Sequence, residues 1–139
     1  MGRIRYDVNL MNYMSLFESV TRTRAKDCLV DRNKDLIFIV HEGQIGKAIG
    51  KGAVHIRRLT NLLKKKIRLI ESASSPEDFL RNIVAPLQIV SVENQDGVLV
   101  VKGPDMKTKG LLMGRNLQNL RETESIVQRF FDIRSVKVV

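Results

Sequence analysis

There is no tryptophan in this sequence, one cysteine, two histidines and a 5% aromatic content. The lone Cys28 excludes an intramolecular disulfide and fits a reducing, cytoplasmic setting. His41, His55 and Cys28 are scattered, without a second cysteine or an i, i+4 histidine pair, so neither a metal site nor another cofactor is expected. No Ser/His/Asp set or carboxylate pair stands out, which leaves a catalytic role without residues and predicts a non-enzyme. With so few rings, stacking on aromatic side chains is a minor theme. Long apolar runs are missing too. The longest, Leu36–Val40 and Val98–Val101, fall far short of the roughly 20 residues of a membrane helix. The first residues lack the apolar stretch of a signal peptide, so no membrane association is expected.

The remaining scarcity is local. From Gly43 to Ile70 there are eight Lys/Arg and no carboxylate. The formal net charge is +9, and it is uneven: residues 1–72 hold 15 Lys/Arg against 7 Asp/Glu, residues 73–139 hold 9 against 8. Basicity concentrated in this way points to a polyanionic partner. Apolar content of 43% is ordinary for a folded protein, and the length suits one domain or two very small ones.

Periodicity supplies the elements. Apolar residues at Leu10, Met14, Phe17 and at Tyr13, Leu16, Val20 predict a helix from about Asn9 to Arg24, with Asp7 or Asn9 as cap, after a frayed 1–6. Cys28–Val30, the turn Asp31–Asp35 and Leu36–Val40 predict two antiparallel strands. A short helix around Gly46–Ile49, a second over about Ala53–Lys64 with Ile56, Leu59 and Leu63 on one side, and a strand at Ile67–Ile70 complete the first half. Ser75 as N-cap, Pro76 at the first helical position and the acidic Glu77-Asp78 then start a helix that Pro86 ends. The same order follows: strands at Leu87–Val92 and Val98–Lys102 around an Asn94–Gly97 turn, helical pieces at Met106–Leu112 and Leu117–Phe130, and a strand at Ile133–Val138. Leu120, Val127 and Phe131 form the apolar stripe of the last helix.

The two halves are copies. Gly46–Lys51 aligns with Gly110–Arg115 at an offset of 64, and Ile56-Arg57 with Leu120-Arg121. Preceding strands align at 61, which implies three inserted residues near Pro104–Met106. The expected fold class is therefore α+β, an α/β sandwich of two tandem α-β-β-α-α-β units, residues 1–72 and 73–139, each a three-stranded sheet with helices on one face. Each core is small, so the halves are expected to lean on each other.

The segment Ile45–Arg58 packs three glycines, two lysines and two arginines between a strand and a helix. Glycine admits close approach to the backbone, and a helix N-terminus with cations suits phosphate. It is not a nucleotide-hydrolysis loop: residue 45 is Ile where the P-loop spacing needs Gly, residue 52 is Gly where it needs Ser/Thr, and His55 stands where a dinucleotide fingerprint needs its third Gly. Gly43-Gln-Ile-Gly46 sits directly after the strand and is rejected as the clamp.

Ile49-Gly-Lys-Gly-Ala-Val-His-Ile56 resembles the Ile-Gly-x-x-Gly-x-x-Ile signature of K-homology (KH) domains, and the element order resembles their type II arrangement. With the repeat, Ile56-Arg-Arg-Leu59 and the Ser74-Ser-Pro-Glu-Asp-Phe79 linker, nearly the whole chain is similar to the archaeal NusA-like transcription factors. The resemblance implies two apposed type II KH units holding single-stranded RNA in a continuous groove, a role in transcription termination or antitermination, and RNA polymerase as a further partner. A KH loop clamps the sugar-phosphate of about four nucleotides. Carried onto this chain, Gly50, Lys51, Gly52 and Ala53 face the phosphates, Lys47, Arg57 and Arg58 add charge, and Ile49 and Ile56 shape the groove floor. In the second copy the loop is Gly114, Arg115, Asn116 and Leu117. Both copies lack the last glycine. Ala53 still permits close approach; Leu117 crowds the backbone or turns inward to begin the helix stripe. The second copy is thus the weaker expected site, and Gly50→Asp is expected to abolish binding with the fold intact. The competing readings are a ribosomal or ribosome-assembly protein and, from another class, a phosphate-ester enzyme.

Overall fold

The structure, a computed structural model, describes residues 8–139. Contacts divide the chain into two compact units, Met1–Ser72 and Ala73–Val139. The first holds α1 (Val8–Thr21), β1 (Ala25–Val30), β2 (Leu36–Val40), α2 (Ile45–Ile49), a 3-10 turn (Lys51–Ala53), α3 (Val54–Leu63) and β3 (Ile67–Glu71). The second repeats the order with α4 (Pro76–Val84), β4 (Ser91–Gln95), β5 (Val98–Lys102), α5 (Met106–Met113), a 3-10 turn (Arg115–Leu117), α6 (Gln118–Phe130) and β6 (Ser135–Val138). Each sheet has three strands in sequence order, the first pair antiparallel and the second parallel. Parallel pairing needs a crossover, and the helix–loop–helix between β2 and β3, or between β5 and β6, supplies it.

In the first unit the core gathers Leu36, Phe38 and Val40 from one face of β2 with Phe17, Cys28, Ala48 and Leu59. Phe17 stacks on Phe38 with ring centroids 4.5 Å apart. Ile37 and Ile39, on the other face by alternation, are buried too, so all five residues of the apolar run in β2 are buried. In the second unit Phe79, Leu80, Ile83, Leu99, Val101, Leu112, Ile126, Val127 and Val136 are buried.

Several expected boundaries move. The first helix stops at Thr21 rather than Arg24, because Arg22 turns left-handed (φ 58°) and its N–H closes on the Glu18 carbonyl. The Thr21 hydroxyl bonds the Phe17 carbonyl and the Thr23 hydroxyl, and the freed chain begins β1 at Ala25, ahead of Cys28. The candidate cap Asp7, the 1–6 segment and the Asn9 side chain lie outside what is described. The strand expected at Leu87–Val92 is instead Ser91–Gln95. Asp96 and Gly97 both have positive φ (53° and 88°), the geometry of a two-residue hairpin turn. Pairing counted back from Gln95↔Val98 ends at Ser91↔Lys102, leaving Leu87–Ile89 outside the ladder. The last strand similarly starts at Ser135 rather than Ile133.

The helix starts follow local chemistry. Ser75 Oγ accepts the Asp78 N–H at 3.2 Å, with Pro76 opening α4. Asp105, not foreseen as a cap, accepts the Thr108 N–H at 2.7 Å and opens α5. α5 has eight residues against five in α2, a difference equal to the three-residue insertion.

Candidate functional site

The helix pairs α2–α3 and α5–α6 are joined by loops of one conformation built from different residues. Gly50 (φ 79°, ψ 164°) and Gly114 (φ 72°, ψ 175°) take an extended backbone at positive φ, a region essentially confined to glycine. Two residues on, the chain enters the left-handed region twice in succession: Gly52 (62°, 25°) and Ala53 (60°, 29°) in the first unit, Asn116 (54°, 31°) and Leu117 (61°, 22°) in the second. Asparagine tolerates that region through its short polar side chain, which explains how Asn116 replaces Gly52. Alanine and leucine do so at roughly 1–2 kcal/mol each. The position where the KH signature has its second glycine is thus left-handed in both copies and occupied by a residue that pays strain.

Leu117 does not turn inward. It is 41% exposed and precedes α6 as its N-cap, so it begins no apolar stripe. Leu120 and Phe131 are half-buried and only Val127 of the expected stripe is fully buried.

A pair of residues that sequence reasoning did not assign holds each loop shut. His55 Nδ1 lies 3.1 Å from the Lys47 carbonyl oxygen, eight residues back in α2. Asn119 Nδ2 donates to the Leu111 carbonyl at 2.8 Å, again eight residues back. Each side chain thereby satisfies a carbonyl in the last turn of the preceding helix, where no intrahelical partner exists. Each also closes over the first glycine. A Cβ on Gly50 would come within 2.8 Å of His55 Nδ1, and one on Gly114 within 2.6 Å of Asn119 Cγ. His55 is therefore a latch on the loop, and the 64-residue repeat, which aligns His55 with Asn119, carries the signal for it.

The same contact corrects the expectation for Gly50→Asp. A side chain there meets both forbidden φ/ψ and the His55 ring, so loss of binding would come with damage to the loop. Gly52 is the clean position: its Cβ would meet only Arg57 Nη2, at 3.9 Å.

The helices that follow the loops lack side-chain caps. Ser75 and Asp105 cap α4 and α5, whereas Ala53 before α3 and Leu117 before α6 make no side-chain cap bond. In place of a side-chain cap, the Val54 amide closes on the Lys51 carbonyl and the Gln118 amide on the Arg115 carbonyl. Around the loop in the first unit Lys47, Lys51, Arg57 and Arg58 are exposed, Ile49, Ala53 and Ile56 are half-buried, and the apposition of Arg57 to Gly52 places a cation on the loop. At the matching positions the second unit has Leu111, Arg115, Arg121 and Glu122. The geometry is shared, but the first loop has four cations where the second has two, a leucine and a carboxylate. Gly43 (φ 83°) turns the chain ahead of α2 and Gly46 lies within α2, so that Gly-x-x-Gly does not form a loop. Among the described residues no group of three or more His, Cys, Asp or Glu could hold a metal ion, and no helix is long and apolar enough to cross a membrane.

A family model described as KH domain matches residues 12–99. The chain belongs to the KH-domain family. Within it, the chain is NusA-like. It is 30% identical to the probable transcription termination protein NusA of Methanococcus vannielii over 99% of this chain and 80% of that protein. It is 27% identical to the protein of the same name from Halococcus morrhuae, over 98% and 99% of the two chains. A solved structure described as the crystal structure of APE1850 superposes with a TM-score of 0.77 at 29% identity, covering 96% of this chain and all of that one. The family match spans the first loop, Gly50–Ala53, and stops short of the second, Gly114–Leu117.

Proposed function

We propose that this KH protein holds single-stranded RNA, with the first loop as the principal clamp, and acts as a NusA-like factor in transcription termination or antitermination. The observation that carries the reading is the first loop itself. A backbone bare of side chains at Gly50 and Gly52 leads into an uncapped helix start, flanked by Lys47, Lys51, Arg57 and Arg58 with no carboxylate between Gly43 and Ile70. Phosphate oxygens suit such a place, since amides and cations both stabilise them. Bases of the clamped strand would lie on the apolar floor between Ile49 and Ile56, since the loop offers no aromatic ring.

The repeated element order supports two type II KH domains, residues 1–72 and 73–139. The second retains the backbone geometry and has the weaker electrostatics, so we assign it the lesser share of RNA affinity. NusA-named relatives support a role beside RNA polymerase in the cytoplasm, without catalysis of its own. Titration of single-stranded RNA over a salt series tests the binding step: log K should fall against log salt with a slope near −0.7 per phosphate contacted. A salt-independent affinity, or none, contradicts the reading.

A further inference from the structure

The end of the first unit away from its glycine loop carries a second concentration of cations. α3 begins at the loop and runs ten residues, so Lys64, Lys65 and Lys66 lie about 15 Å from it along the helix axis. The chain there is stitched to the β1–β2 turn. Lys65 Nζ donates to the Lys34 carbonyl at 3.1 Å, the Lys66 N–H to Asp35 Oδ1 at 3.0 Å, and the Leu36 N–H to the Lys66 carbonyl at 3.1 Å. Arg32, Lys34, Lys64 and Lys66 are exposed around this seam, and Lys65 is half-buried. Asp31 and Asp35 are the carboxylates of the corner, and both accept backbone amides: Asp31 from Asn33 and Asp35, Asp35 from Lys66.

Two observations separate this corner from an ordinary solvated helix end. Lys34 (φ 65°) and Lys64 (φ 56°) are both left-handed, where glycine or asparagine is cheaper, and Lys64 is the helix C-cap, a position that favours glycine. The helix dipole accounts for a cation after α3 but not for Lys34 in a strand turn. The second unit then serves as an internal control. Its equivalent corner is formed by the shorter, two-residue Asp96-Gly97 turn and the chain leaving α6 through Phe131, Asp132 and Arg134; Arg134 stands where the first unit has Lys66, and Lys34 and Lys64 have no cationic counterpart. The fold makes this corner without a counterpart of either lysine, so Lys34 and Lys64 answer to something outside the fold.

We propose that the corner of Arg32, Lys34, Lys64 and Lys66 is a second phosphate-contacting surface, reached by an RNA strand that leaves the Gly50–Ala53 loop along the exposed side of α3. Arg58 and Asn61 are exposed on the helix between the two. Contacts of this kind read no sequence; they lengthen the footprint and fix the strand's direction. The proposal rests on the RNA-binding reading of the loop.

The test uses the full chain and oligouridylates of about four and about twelve nucleotides, the shorter just filling one KH clamp. Lys34→Asn/Lys64→Asn/Lys66→Gln removes three charges while giving both left-handed positions a residue that accepts them. Lys107→Gln/Lys109→Gln/Lys137→Gln removes three from the second unit as a control for net charge. The parent should bind the longer RNA at least about tenfold more tightly, and the corner variant should lose about tenfold on it with a salt slope shallower by about two. Its affinity for the shorter RNA should be unchanged, and the control should leave both affinities within about twofold. A corner variant with unchanged slope, or a control that loses as much, overturns the proposal. So does a variant that keeps RNA affinity but loses binding to polyglutamate, which would assign the corner to an acidic protein. If the parent binds the shorter RNA and gains nothing from the longer, the corner alone fails. If it binds neither, the RNA-binding reading fails and the corner with it.

Discussion

At the scale of single residues, the two glycines of the first loop have different duties. Gly50 is required by the protein: its backbone conformation costs a non-glycine residue roughly 1–3 kcal/mol, and any Cβ meets the His55 ring. Gly50→Ala should therefore lower stability by roughly 2–4 kcal/mol, strain and overpacking together. Gly52→Asn should stay within about 0.5 kcal/mol, since Asn116 already occupies that conformation in the second unit. Urea unfolding midpoints compare the two directly. His55 holds the loop by a side-chain bond that Asn119 reproduces with different atoms. His55→Ala forfeits one hydrogen bond worth about 1 kcal/mol, so RNA affinity should drop about fivefold as the loop must be ordered on binding. His55→Asn should restore it to within about twofold; an asparagine variant as weak as the alanine one would mean that the ring contacts RNA itself.

At the scale of elements, caps and turns decide where helices and strands begin. The Asp105 carboxyl is held below its usual range by the Thr108 amide, then by the Thr108 hydroxyl, with Lys107 assisting and partial desolvation opposing. Because the folded value is depressed, the cap's contribution is present above the unfolded carboxylate pKa of about 3.9 and is lost as pH falls through the lower folded one. Asp105→Asn keeps a capping acceptor without the titration. The stability difference between parent and variant should shrink across that acid window, and a pH-independent difference would contradict the assignment. Much at this scale was legible in the sequence. Leu36–Val40 and Val98–Lys102 read as strands from apolar runs, and Ser75-Pro76 marked a helix start within one residue. The misreadings share a cause. Leu87 and Ile89 have strand-like residue types, but the two-residue Asp96-Gly97 turn sets the register from the far end and leaves them out. Arg22 ends α1 by a left-handed conformation that its residue type does not announce. Positive φ at Ala53, Leu117 and Lys64 was invisible for the same reason, and with it the inward expectation for Leu117 failed. The latch needed the repeat to be read for paired polar residues, not only for glycines.

For the whole molecule, one backbone design carries two electrostatic characters. Of the net charge of +9, the 15 Lys/Arg against 7 Asp/Glu of residues 1–72 account for nearly all. At loops of matching geometry, Lys47 aligns with Leu111 and Arg58 with Glu122, so the repeat keeps the loop conformation while charge is concentrated on one copy. The proposed division of labour between the copies is an electrostatic one, and a charge placed at equivalent points of the two loops measures it. Aspartate fits the left-handed conformation of both Gly52 and Asn116 and sets a carboxylate where phosphate is expected, leaving either latch untouched. The decisive measurement is the affinity of the full chain for a short single-stranded RNA with Gly52→Asp or Asn116→Asp. We predict a loss of at least about tenfold for Gly52→Asp and less than about threefold for Asn116→Asp, at equal unfolding midpoints. Equal losses, or a larger loss at Asn116, would contradict a clamp centred on the first loop.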